Sequence, residues 1–251
     1  LDDEHKQNIS HITQGVTTVF VGNDGGGIPD RETGVATMRG QGIGPNVGFF
    51  AGHNNIRTAV LGLEDRPPTS EELLTMQNLV IKEMRAGALG LSTGLFYKPG
   101  SYSNTEEVIE LTKSIVPFGG IYDTHLRDES SYNIGLLGSI EEVLNIAESA
   151  GVRVHIAHLK ALGRDVWGQS GDVIARIDAA RAAGVQVTAD QYPYQASGTS
   201  FGSALVPRWV MADSQEAMFA RFSNPDLDDR IQTEMEGNIY RRGGAESLLV
   251  T

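Results

Sequence analysis

The chain has 251 residues, 20 of them basic and 32 acidic, for a formal net charge of -12. That length supports one large domain or two small ones, and an acidic surface repels nucleic-acid backbones and anionic membranes, so neither is expected as a partner. Cysteine is absent, which excludes disulfides, thiolate zinc sites and cysteine nucleophiles, leaves His and carboxylates as the only strong metal ligands, and fits a reducing, cytoplasmic setting.

Glycine is abundant, with 30 residues, and part of it is periodic: Gly87, Gly119, Gly151 and Gly184 are spaced 32, 32 and 33 residues apart. Each follows a stretch of helical apolar spacing and precedes a β-rich run, the pattern of a helix-ending glycine leading into a strand. In chain order, His5 and His11 fall in an early helix without assigned function, and strands are expected over 16–23 and 47–51. A helix over 69–85 opens with Thr69 and Glu72 at capping-box spacing and carries Leu73, Met76, Val80 and Met84 on one stripe. Strand 88–93 follows, then helix 105–116 stopped by Pro117, strand 121–125, a helix opened by Ser139, strand 152–158, a helix opened by Ser170 and strand 185–192. These runs are short and mostly apolar, as strands covered on both faces must be.

Strand and helix alternating at this period mean βα units around a parallel sheet, either an open doubly wound sheet or a (β/α)8 TIM-type barrel. An open dinucleotide-binding sheet calls for G-x-G-x-x-G after its first strand. The chain instead reads Gly22-Asn23-Asp24-Gly25-Gly26-Gly27, which favours the barrel. Residues 1–199 are expected to form that barrel portion. Residues 200–245, which break the period and contain a helix over 226–242, are read as an insertion covering the mouth, and 246–251 as the start of a returning barrel segment.

In a parallel barrel the chemistry gathers at the C-terminal ends of the strands. His125 and His158 both end strands that should be neighbours, ~4.7–4.9 Å apart, within reach of one zinc ion. Asp24, at the end of an earlier strand, is able to complete the site or simply to form an Asp–Gly turn. His155, three residues before His158, is expected on the opposite face as a packing residue, and His53 to hydrogen-bond within a loop. Lys160 is placed to hold an anionic substrate, and Tyr192 and Tyr194 offer phenols that donate to a developing oxyanion.

The stretches Gln14-Gly15-Val16-Thr17-Thr18-Val19, Gly52-His53-Asn54, Gly87-Ala88-Leu89-Gly90-Leu91-Ser92-Thr93-Gly94, Thr124-His125-Leu126-Arg127-Asp128-Glu129, His158-Leu159-Lys160 and Asp190-Gln191-Tyr192-Pro193-Tyr194, in this order, resemble the D-aminoacylase group. These are the N-acyl-D-amino-acid deacylases of the metal-dependent amidohydrolase superfamily. The resemblance implies an incomplete (β/α)8 barrel in which His125 and His158 bind one or two zinc ions, Lys160 grips the substrate carboxylate and Tyr192 assists at the scissile carbonyl. Where that family has a metal-ligating Cys, this chain has Asp24, which makes the site harder. The family's His-x-His pair and catalytic Asp fall outside the chain, so it reads as the central part of a longer enzyme, expected to be inactive alone. A small-molecule N-acyl amino acid is the expected partner, with homo-oligomerisation open because an incomplete barrel has exposed edges.

Two rival readings remain at this stage. A cyclic-amide hydrolase of the dihydroorotase or hydantoinase type uses a carboxylated lysine on its fourth strand, where this chain has Leu91-Ser92-Thr93. A non-catalytic barrel that binds no metal is the other.

Overall fold

Helix-ending glycines organise the chain as the period predicts. The computed structural model describes residues 6–27 and 31–250, so His5 lies outside the described residues. Helix α1 (Ile9–Ile12) carries an exposed His11, and α2 (Arg31–Gln41) and α3 (His53–Leu61) precede α4 (Ser70–Arg85). At the start of α4 the Glu72 N–H donates to Thr69 Oγ1 (3.2 Å) while Glu72 Oε2 accepts the Thr69 N–H (2.7 Å), the expected capping box. Helices α5 (Thr105–Lys113), α6 (Gly135–Ala150) and α7 (Ser170–Ala182) follow. Gly87, Gly119, Gly151 and Gly184 all adopt the left-handed backbone that a side chain resists.

The strands are β1 (Thr18–Val21), β2 (Asn46–Phe49), β3 (Ala51–Gly52), β4 (Gly90–Gly94), β5 (Ile121–His125), β6 (Arg153–Ile156) and β7 (Val187–Ala189). β1 pairs with β2, β3 to β7 form a second sheet in chain order, and every pairing is parallel. Phe50 interrupts β2 and β3, yet the Phe50 N–H donates to Val21 O (3.0 Å) and the Leu89 N–H to Phe49 O (2.7 Å), so hydrogen bonding crosses the break. Neighbouring strands succeed one another in sequence with no reversal, unlike a doubly wound sheet. Helices α3 to α7 likewise pack each against the next.

The core lies between the sheet and these helices. Leu91, Tyr122, Val154 and Ile156 face Met76, Val80, Leu111, Ile140 and Ile146, all buried. The Tyr122 hydroxyl is satisfied there by Thr93 Oγ1 (3.0 Å), which also meets Thr124 Oγ1 (2.7 Å). Alternation along the strands leaves Asp123, His125 and His155 on the other face.

Three local expectations are corrected. α6 begins at Gly135, before Ser139, whose hydroxyl accepts the Asp128 N–H (2.9 Å) and so anchors the segment after β5 instead of capping a helix. Ser170 is the first residue of α7 and makes no capping bond. α5 stops at Lys113, and Pro117 sits in a separate 3-10 turn, Val116–Phe118.

Helices α8 (Phe201–Leu205), α9 (Gln215–Phe222) and α10 (Asp228–Arg241) follow β7. They dock on the segments leaving β4 and β5: Tyr102 Oη donates to Arg208 O (3.0 Å), and Arg241 Nε to Ser131 O (3.0 Å). Among the described residues no helix is long and apolar enough to cross a membrane.

His53 is not a loop residue. It opens α3, fully buried, and its Nε2 lies 2.8 Å from Glu107 Oε1, while Arg57, also fully buried, donates to Glu107 Oε2 and to Arg66 O (2.6 Å). Burial alone pushes the Glu107 carboxyl up, but His53 and Arg57 outweigh it and hold the group below its ordinary 4.5. Removing the anion leaves a buried guanidinium without its partner, so Glu107→Ala should cost ~3–5 kcal/mol in urea unfolding at neutral pH. Because the folded-state value is depressed, this stabilisation is complete above 4.5 and lost as pH falls through the depressed value. The stability of Glu107→Ala should therefore fall less steeply with acid than that of the unmodified protein.

Candidate metal centre and pocket

Three strand ends deliver the candidate ligands. Asp24 follows β1 in a left-handed conformation (φ 55°), and its turn is wedged against β4: a Cβ on Gly94 would lie 2.2 Å from Asp24 O. Asn54 of α3 splices the same corner, donating its N–H to Gly25 O (3.0 Å) while its amide pairs with Gly94 N (3.4 Å) and O (3.3 Å). His125 is the last residue of β5 and is nearly buried. His158 lies beyond the end of β6 with φ 37°, and its N–H donates to Asp190 Oδ1. A non-glycine residue at such a φ is uncommon and is held here by that carboxylate.

This turn corrects the reading of His155. Since β6 ends at Ile156, parity does not carry to His158, and His155 lies on the same face as the site, with Nδ1 2.8 Å from Thr188 Oγ1 and Nε2 3.2 Å from Asp190 Oδ2. It is part of a polar layer below the pocket with Asp123, whose carboxyl burial pushes up to about 6.

Asp24, His125 and His158 converge. His125 Nδ1 is 2.9 Å from His158 Nε2, and Asp24 Oδ1 is 3.4 Å from His158 Nε2 and 3.8 Å from His125 Nδ1. These spacings bracket the ~3.3–3.4 Å between donors that zinc bonds of ~2.0–2.1 Å produce in a tetrahedral site. Asp24 Oδ1 is buried with no well-aligned donor, an orphaned anionic atom pointing among two imidazole nitrogens. The residues therefore fit a cation. Two imidazoles and a carboxylate form a borderline-hard set suited to zinc.

Electrostatics act in opposite directions on the two rings. Burial lowers His125 to about 4, so its ring is neutral at physiological pH, as a ligand must be. Burial also opposes charge on His158, but Asp24 and Glu129 overcome it and raise the ring to about 9. Burial pushes Asp24 up, and His158, His125 and Lys160 together pull it below its ordinary value.

Glu129, nearly buried, organises the opposite wall. It accepts from Lys160 Nζ and lies 3.4 Å from His158 Nδ1 and 3.7 Å from His125 Nε2. Lys160 Nζ is also 2.8 Å from His158 Nδ1 and 5.6 Å from the Tyr192 ring centre. Tyr97 lies 4.8 Å from the His125 ring and Tyr192 6.5 Å from that of His158, between ring centres. Thus Asp24, His125, His158, Lys160 and Tyr192 line one pocket, whereas Tyr194 is 75% exposed outside it. Glu129, Tyr97 and Arg242 line it too and had been assigned no role. Glu129 had a local signal, four residues after His125 and at the strand end next to that of Lys160; Arg242 had none, being brought in by α10.

No protein-family model matches the chain. It is 38% identical over 154 residues to a D-aminoacylase of Alcaligenes xylosoxydans xylosoxydans, covering 61% of this chain and 31% of that protein. To an N-acyl-D-aspartate deacylase of the same organism it is 31% identical over 219 residues, covering 78% and 43%. A solved N-acyl-D-glutamate deacylase from Bordetella bronchiseptica, complexed with zinc and a phosphonate mimic of the tetrahedral intermediate, superposes with a TM-score of 0.71 at 31% identity, over 76% of this chain and 44% of that one. The chain thus spans 31% to 43% of the length of these curated relatives. Over that span, in sequence and in fold, it is a homologue of the D-aminoacylases and N-acyl-D-amino-acid deacylases.

Proposed function

We propose that the full-length protein hydrolyses the amide bond of N-acyl-D-amino acids at a zinc site of one or two ions built on Asp24, His125 and His158. The observation that carries this is the convergence of those three donors on the floor of a pocket that also holds Lys160 and Tyr192. The same reading takes the sheet as an arc of a (β/α)8 barrel, which its unreversed strand order and ligands at C-terminal strand ends support. It assigns residues 1–199 to the barrel, 200–245 to an insertion over its mouth and 246–251 to a returning segment. A cytoplasmic setting rests on the absence of cysteine.

Zinc, when bound, supplies a Lewis acid for the acyl carbonyl and lowers the pKa of water to ~7. The chain's own residues position the cation and the substrate. Asp24 and the two rings fix the position of the cation, and Asp190 holds His158 in the backbone conformation that turns its ring inward. Lys160, steadied by Glu129, offers a donor to the substrate carboxylate and so sets which stereoisomer presents its amide to the donors. Tyr192 faces the same space. Burial and the charge of Glu129 push its phenol up, which keeps it protonated and able to donate to a developing oxyanion.

The full-length protein should contain zinc on metal analysis and should hydrolyse N-acetyl-D- but not N-acetyl-L-amino acids, with activity lost on chelation and restored by zinc. Turnover of hydantoins without turnover of acyl amino acids would favour the cyclic-amide reading, and no zinc with no turnover the non-catalytic one. Asp190→Ala should weaken zinc binding by ~10–100-fold, read by chelator competition. Asp24→Cys should give the cobalt-substituted protein a thiolate charge-transfer absorption and tighten zinc; a spectrum unchanged by the thiol would remove Asp24 from the ligand set.

A further inference from the structure

Each of the two candidate rings has one nitrogen turned toward Asp24 and one turned away. The inward pair is His125 Nδ1 and His158 Nε2, 2.9 Å apart. The outward pair converges on a single carboxylate: His158 Nδ1 lies 3.4 Å from Glu129 Oε1, and His125 Nε2 lies 3.7 Å from Glu129 Oε2. The two oxygens are thus divided between the two rings.

A neutral imidazole has one N–H and one lone pair, so a ring that offers its inward lone pair to a cation carries its proton on the outward nitrogen. In a buried wall that N–H needs an acceptor. Lys160 Nζ, 2.8 Å from His158 Nδ1, only donates when charged and cannot serve. Glu129 can serve both rings, and its ion pair with Lys160 gives the buried carboxylate a counter-charge.

The backbone fixes where Glu129 stands. Its carbonyl accepts the Leu162 N–H (2.8 Å), which staples the segment after β5 to the segment after β6. Its neighbour Asp128, fully buried, accepts the N–H groups of Ser130, Asn133 and Gly135 and donates its own N–H to Ser139 Oγ (2.9 Å). The carboxylate behind the two rings therefore stands on an ordered segment, as a group that orients ligands must.

We propose that Glu129 is a positioning residue for the metal centre: it accepts the outward N–H of both His125 and His158 and so holds both inward nitrogens as lone pairs facing Asp24. This rests on the metal centre of the hydrolase reading above. Glu129 acts through the rings and touches neither cation nor substrate.

The test uses the full-length protein, with zinc affinity read by chelator competition and the ring nitrogens of the zinc-loaded protein by heteronuclear NMR. Glu129→Gln has one acceptor oxygen where the carboxylate has two. It should bind zinc ~10–100-fold more weakly and lose the outward N–H signal of at least one ring. Glu129→Asp keeps the charge but withdraws the oxygens, so its affinity should fall between the two; an affinity equal to that of the unmodified protein would reduce the effect to charge and overturn the proposal. Lys160→Met leaves the carboxylate in place and should not weaken zinc binding. Circular dichroism checks the fold, and if Glu129→Gln does not fold, the order of Glu129→Asp against Lys160→Met decides. Unchanged affinity and ring signals in Glu129→Gln would overturn the proposal, as would an equal loss in Lys160→Met, which would assign the effect to the ion pair. The predicted losses in a protein that hydrolyses no N-acetyl-D-amino acid would uphold the proposal and overturn the hydrolase reading. Protein that binds no zinc would overturn both.

Discussion

The site depends on one hydrogen bond from the His158 N–H to the Asp190 carboxylate. His158 stands past the end of its strand with a left-handed backbone, a conformation an L-residue resists without outside support. Asp190, delivered after β7, provides that support and joins the ends of two strands. With it, the His158 ring faces His125 and Asp24; a strand simply continued would point the ring by parity, with no reason to meet either. The convergence of the three donors thus comes from a departure from regular structure at the end of β6, while the regular part supplies the spacing.

Much of the fold was legible because backbone demands recur. Four left-handed glycines at near-constant spacing marked where helices end and strands begin, and the short apolar runs after them are β4 to β7. The pairing of His125 and His158 was legible from the same ruler. What failed was local. Ser139 has the chemistry of a helix cap but is used to hold Asp128, and His155 was placed by an alternation that stops at Ile156. Helices α2 and α3 went unforeseen, α2 because its two glycines and polar residues give it little apolar stripe, and α3 because its buried face includes the polar His53, Asn54 and Arg57.

The opposing wall was not legible, for a different reason. Tyr97, Tyr132 and Arg242 are brought together by the docking of α8 to α10 on the segments after β4 and β5, through contacts more than a hundred residues apart in sequence such as Arg242 to Tyr132. No spacing rule reaches that far. Strand ends carry invariant geometry and so reveal candidate ligands; the covering segments carry only composition.

Asn54 ties the Asp24 turn to the end of β4, and one helical turn further along α3 Arg57 is bolted through Glu107 to α5. The Asp24 carboxylate, although it sits in a glycine-rich loop, is therefore mounted on the hydrophobic interior. Its stiffness is inherited from the packed helices, so loosening of α3 would also loosen the distances among Asp24, His125 and His158.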